Sequence, residues 1–113
     1  MIEKILFDYM KTAVSVPVYM EFPSSPVPRF FLLQKKGGSK TDHIRYATIA
    51  LQSYGVSLAD AANLNLIGIE AMEGAIALDS VSEVKLNSDY DFPDLTRKRH
   101  RYQAVFNITH YEE

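Results

Sequence analysis

The sequence predicts an α+β fold, a mostly antiparallel sheet packed against one long helix and a short N-terminal helix. Three observations predict it. Apolar residues recur at helical spacing in two segments, near the start and in the middle of the chain. Three other segments, in 43–55, 81–87 and 101–111, alternate in the two-residue period of strands. The element order is helix, strand, hairpin pair, helix and two strands, which suits helices laid on an antiparallel sheet. A chain of 113 residues accommodates one two-layer core, so residues 1–113 are read as a single domain.

Ile2, Ile5, Leu6, Tyr9 and Met10 share one side of IEKILFDYMKTA, opposite Glu3, Lys4, Asp8 and Lys11, and predict an amphipathic helix over 2–13. VPVYMEF (16–22) reads as a strand at a sheet edge, because Pro17 has no N–H for a ladder. FPSSPVPR holds Pro23, Pro26 and Pro28 and is an extended loop. RFFLLQKK (29–36) and HIRYATIALQSYG (43–55) form a hairpin, with GGSKTD as a flexible polar tip. In the second of these strands apolar groups occur on both faces; one face should meet the helices and the other a second surface.

Ser57 followed by Asp60 is a helix-entry pattern, with a hydroxyl for an orphan amide and a carboxylate at the positive end. It predicts the main helix over about 58–78. Leu58, Ala62, Leu66, Ile69, Met72 and Ile76 are assigned to its apolar side, with Ala61, Leu64, Gly68, Ala71 and Ala75 beside them. Asp60, Asn63, Glu70 and Glu73 are assigned to the outside. VSEVKLN (81–87) and RYQAVFNITHY (101–111) complete the sheet, and SDYDFPDLTRKRH is the loop between them.

Hydrophobic residues make up 47% and charged residues 23% of the chain, a globular balance. Without cysteine there is no disulfide framework, thiolate catalysis or Cys-ligated zinc. No signal peptide or membrane span is evident. Gly37-Gly38-Ser39-Lys40-Thr41 has the flavour of a phosphate loop, but the earlier glycine and following helix are missing. His43, His100 and His110 lack metal-ligand spacing, and Asp89, Asp91 and Asp94 lack the glycine and closing Glu of a calcium loop. These aspartates read as turn formers that counter the basic run after them. No cofactor is implied, and no catalytic set is visible.

Charge is unevenly distributed. Arg97, Lys98, Arg99 and Arg101 cluster in one loop, whereas 57–84 holds five acids and no Lys or Arg. Such a run reads as a solvated loop, as a single-strand nucleic-acid patch helped by Tyr90, Phe92 and Tyr102, or as a surface meeting an acidic patch on another subunit. The net charge of −2 argues against a protein that coats nucleic acid.

Several motifs occur in a distinctive order: a proline-led strand (28–33), a Gly-Gly hairpin, a strand ending in Tyr54-Gly55, and S-x-x-D-A from Ser57 to Ala61. A bend with Pro93-Asp94 and a last strand led by Arg101-Tyr102-Gln103 follow. Over about residues 28–111 this order resembles the small tail-completion and tail-terminator proteins of tailed bacteriophages. Gly68 and Gly74 in the helix and the density of the basic loop depart from that pattern.

The resemblance implies a structural virion protein, made in the host bacterial cytoplasm and located in the tail or neck. It implies a ring, commonly hexameric, that caps the finished tail tube and takes part in head-tail joining. Partners would be further copies, the tail tube protein and the head-completion or connector protein, with DNA passing nearby. Cyclic self-association would use two different patches: Asp60, Glu70 and Glu73 on the helix, and Arg97, Lys98, Arg99 and Arg101 on the loop. The hairpin tip, Lys36, Gly37, Gly38, Ser39, Lys40, Thr41 and Asp42, is a candidate docking element. The alternative is a small nucleic-acid-binding module using the loop 97–101, and a small enzyme ranks last.

Overall fold

The computed structural model describes residues 1–111. Its order is α1 (Ile2–Ala13), β1 (Val18–Tyr19), β2 (Phe30–Thr41), β3 (Ile44–Gly55), α2 (Leu58–Glu73), a 3-10 turn (Gly74–Ala77), β4 (Val81–Asp91) and β5 (His100–Tyr111). The five strands form one sheet in the order β1-β2-β3-β5-β4. Every pairing is antiparallel except β1 on β2. A 12-residue strand at about 3.3 Å per residue spans about 40 Å, and three such strands set the 43 Å long axis of the molecule. Among the described residues, no helix is long and apolar enough to cross a membrane.

The alternation of β3 decides the layers. Ala47, Ile49 and Leu51 join Phe31 and Leu33 of β2 and Ala104, Phe106 and Ile108 of β5 in the main core, together with Leu64 and Met72 of α2 and Leu6 and Met10 of α1. Burying each such large side chain contributes about 1.5–3 kcal/mol. At one end of the opposite face Phe30, Leu32 and Tyr54 form a second cluster, closed by Tyr19, Phe22 and Val27. The second surface expected for β3 is therefore, at this end, the chain's own proline-rich loop. The middle of that face is polar: Gln52 Nε2 donates to Gln103 Oε1 at 2.8 Å, and Gln103 Nε2 donates to Tyr90 Oη.

The 16–22 segment pairs only at Val18 and Tyr19, and does so in parallel. Pro17 lends its carbonyl to the Phe31 N–H at 2.9 Å but has no N–H to extend the ladder. The polar tip is also corrected: 37–41 is strand, paired residue by residue with 44–48. The chain reverses at Asp42, whose φ of 56° lies in the left-handed region that Asp tolerates. Gly37 lies beside a register shift after Lys35 rather than in a turn. The ladder continues this far because β5 flanks β3 as far as Tyr111, opposite Ile44.

The main helix is α-helical only to Glu73 and ends in a 3-10 turn. Its buried stripe is Ala61, Leu64, Asn65, Gly68 and Met72, whereas Leu58, Leu66 and Ile76 are exposed. Leu66 shares its face with Asn63 and Glu70, three and four residues away, rather than with the core residues. β4 likewise runs past Asn87 to Asp91, with Asp89 accepting from Asn65 Nδ2 at 3.1 Å.

Gly68 shows why the stripe lies where it does. A Cβ there would sit 2.7 Å from Leu51 Cδ2 and 2.8 Å from Phe31 Cε1, so its absence lets α2 approach the sheet. Helix propensity alone would make Gly68→Ala stabilising by about 1 kcal/mol. Overpacking costs about 1–3 kcal/mol, so the variant is expected to be less stable than wild type in urea denaturation; a rise in midpoint would contradict this packing.

Candidate functional site

The basic stretch folds onto the second core. At the end of β3, Tyr54 stacks on Phe30 with centroids 4.5 Å apart, and Phe22 meets both rings edge-on. Guanidinium groups lie over this aromatic layer: Arg97 is 3.8 Å from the Phe22 centroid, Arg99 is 5.2 Å from Phe30, and Arg101 is 5.7 Å from Tyr54 while lying 4.2 Å from the separate ring of Phe92. Planar guanidinium groups stack on aromatic faces, so the arginines serve as both cations and lids.

Asp94 organises the cluster. Its Oδ2 accepts from Tyr54 Oη at 2.9 Å and from Arg97 Nη1 at 3.1 Å, and its Oδ1 accepts the Arg97 backbone N–H at 3.1 Å. Arg101 Nη1 lies 3.8 Å from Oδ2 and donates to Tyr54 Oη at 3.1 Å. The Asp94 side chain is only 4% exposed. Burial pushes its pKa up, but the Arg97 N–H, the Tyr54 hydroxyl and the two guanidinium groups outweigh it and hold the carboxyl below the usual range. Burial, with the bond to Asp94, pushes the Tyr54 hydroxyl up.

The backbone closes the same loop. Asp94 N–H donates to the Arg99 carbonyl at 2.9 Å and Arg99 N–H returns a bond to the Asp94 carbonyl at 3.0 Å. Between them Lys98 takes φ of 56°. Arg99 Nη2 donates to the carbonyls of Val27 and Pro28 at 3.0 and 2.8 Å, which ties the proline-rich loop down. Arg101 Nε donates to the Phe92 carbonyl at 2.6 Å. Three of the four basic candidates are thus held by their own chain, while Lys98 is exposed and makes none of these contacts.

The acidic candidates divide. Ser57 caps α2, its Oγ accepting the Asp60 N–H at 3.1 Å, while Asp60 Oδ2 reaches back to accept the Val56 N–H at 2.9 Å. Arg29 Nε also donates to this carboxylate, at 3.1 Å. The Val56 bond, together with Arg29, lowers the Asp60 pKa. Glu70 and Glu73 are exposed on the far half of the helix. Because Gly55 pairs with His100, the basic loop lies at the N-terminal end of α2. At 1.5 Å per residue, Glu70 and Glu73 lie about 20 Å farther along the axis. The structure therefore brings Asp60 to the basic end and leaves Glu70 and Glu73 at the other.

The tip candidates Lys36, Gly37, Gly38, Ser39, Lys40, Thr41 and Asp42 are all exposed, on a strand-built projection with half-exposed Ile44 and Tyr46 beside them. Of the aspartates read as turn formers, Asp94 does counter the basic run, whereas Asp89 and Asp91 belong to β4. Phe22 carries no local signal in the sequence, and Tyr54 is marked there only as the end of a strand; the clue to their role is an arginine-dense loop entering the strand next to β3. No family model matches the chain, and no curated protein matches it.

Replacing Asp94 by Ala leaves Tyr54 Oη, the Arg97 guanidinium and the Arg97 backbone N–H without their acceptor. Because the Arg97 side chain is half exposed, the main loss is the buried Tyr54 hydroxyl left without its partner, expected to cost about 1–3 kcal/mol in denaturant unfolding at pH 7. Since the folded-state carboxyl is depressed, its contribution is full above the unfolded aspartate value of about 4 and is lost as pH falls through the folded value. The stability gap between wild type and Asp94→Ala should therefore shrink on acidification; a gap constant down to pH 2 would contradict it.

Proposed function

We propose that the chain is a structural virion protein, a tail-completion or tail-terminator subunit that acts as a ring at the head-proximal end of a phage tail and takes part in head-tail joining. The reading rests on the motif order of residues 28–111. The observation that carries it furthest is the polar layout: exposed Lys98 at one end of α2 and exposed Glu70 and Glu73 about 20 Å away. Surfaces of opposite charge at opposite ends of one subunit suit heterologous contacts, which close into rings when the rotation permits. Copies of the chain, commonly six, would form the ring, with the tail tube protein on one side and the head-completion or connector protein on the other. The projecting hairpin 36–42 is the element offered to one of these partners, and DNA passes through the ring without being specifically bound. No catalytic step is part of this role.

A nucleic-acid module using the loop 97–101 has less support, because Arg97, Arg99 and Arg101 are stacked on rings and bonded to Asp94, Val27, Pro28 and Phe92. Exposed cations that release counterions would be needed for it.

The decisive experiment uses a phage from which this gene has been deleted. Heads and tails are expected to accumulate unjoined, and the purified protein added to that lysate should restore joined particles in electron micrographs. Normal infectious virions from the deletion would end the proposal. Within the purified protein, Lys98→Glu tests charge without touching the Asp94 cluster. Self-association measured by light scattering is expected to weaken about 3- to 10-fold at low salt, as for an interface charge, and the difference should fade at high salt; equal association of both proteins at low salt would remove Lys98 from the interface.

A further inference from the structure

Several apolar side chains are exposed outside the cores, among them Val56, Leu58 and Ile76, and two of the most exposed sit in the middle of rigid elements. Leu95, at the outer end of the Asp94–Arg99 loop, is 81% exposed. On the outer face of α2, Leu66 is 65% and Ile67 44% exposed. Neither fits the purpose of its element. A loop that only reverses the chain has no use for a leucine at its outer end, and the outward side of a helix on a sheet is ordinarily polar.

The loop is also unusually firm for a loop. Two reciprocal backbone bonds and the Asp94–Arg97 bonds fix residues 94–99, so little conformational freedom remains to be lost when Leu95 is covered. The charges around the two leucines are complementary: Lys98 shares the loop with Leu95, and Glu70 and Glu73 follow Leu66 on the same outward side of α2. Charges of this kind set encounter and register, while an apolar anchor entering a fitting surface supplies most of the affinity.

We infer that the 94–99 loop of one copy docks on the outer face of α2 of a second copy, with Leu95 seated on Leu66 and Ile67 and Lys98 facing Glu70 and Glu73. This rests on the ring reading above and names the contact that reading leaves open. The occupant is a second copy because both halves of the match, apolar and charged, are present on the same chain. The two halves lie apart on that chain. α2 packs on one face of the sheet, whereas the Asp94 cluster is built on Tyr54 at the other face. The contact is therefore heterologous, and each copy keeps one free half to pass on.

The chain contains no cysteine, so introduced thiols report on this contact without background. Leu66→Cys and Leu95→Cys are made as separate full-length proteins, one with a tag, and oxidised alone and mixed. The mixed disulfide dimer is expected to exceed either self-dimer at least 10-fold; a mixed dimer no more abundant than the self-dimers overturns the contact. The ring is judged separately on the protein carrying both substitutions. A ladder that ends in one covalently closed species supports contact and ring together, and an open-ended ladder supports the contact while removing the ring. Rings of wild type seen by negative stain without the mixed dimer would leave the ring and overturn the contact.

Discussion

The Asp94 carboxylate is the constraint on which one end of the molecule depends. A carboxylate taken out of water is expensive unless donors surround it. Here the donors are a backbone amide, a tyrosine hydroxyl and the Arg97 guanidinium, with Arg101 close by. Through Tyr54 the carboxylate fixes the end of β3, and through the Asp94–Arg99 backbone pair it fixes the entry to β5. Arg99, oriented by that pair, holds the carbonyls of Val27 and Pro28 and so closes the second core. One ionised group thus connects three parts of the chain that are distant in sequence.

That connection changes what the basic run means. Four positive residues in five positions look like a surface, yet three guanidinium groups contribute mainly as planar lids on Phe22, Phe30 and Phe92. Lysine could not take these places, because an ammonium group lacks the flat fork that stacks on a ring and bonds at its edge. The mixture of Arg and Lys in the run is therefore functional chemistry at two levels. The arginines build the loop, and Lys98, in the left-handed conformation that turns it outward, carries its free charge.

Much of the fold was legible because its elements obey one period each. α1, β3 and β5 lie within a residue of where periodicity puts them. The faces of α2 were harder to read: leucine and isoleucine occur all round it, and the true seam is marked by small residues, Ala61, Gly68 and Ala75, whose value lies in close approach rather than hydrophobicity. The tip was misread because Gly-Gly suggests a turn, while the ladder is continued by β5, a partner about 60 residues away. The basic loop was visible as charge, but its internal pairing depends on rings from three other segments, which no local pattern reveals.

The sheet itself is guarded against edge-to-edge strand pairing, which accords with placing the proposed contact between copies on a helix and a loop instead. β4 is a long edge, and such edges invite pairing unless something prevents it. Two register shifts interrupt its ladder, and Glu83, Lys85, Asp89 and Asp91 place charges along it. On the other side β1 covers only two residues of β2, and the uncovered length carries Lys35, Lys36 and Lys40. Bulges and charged residues on an edge are the common means of refusing a further strand. Leu95 and Leu66 lie away from both edges, exposed on a firm loop and a regular helix. An apolar side chain held in the open on a rigid element is a better anchor than a strand edge guarded in this way, which is why the proposed contact between copies is placed there.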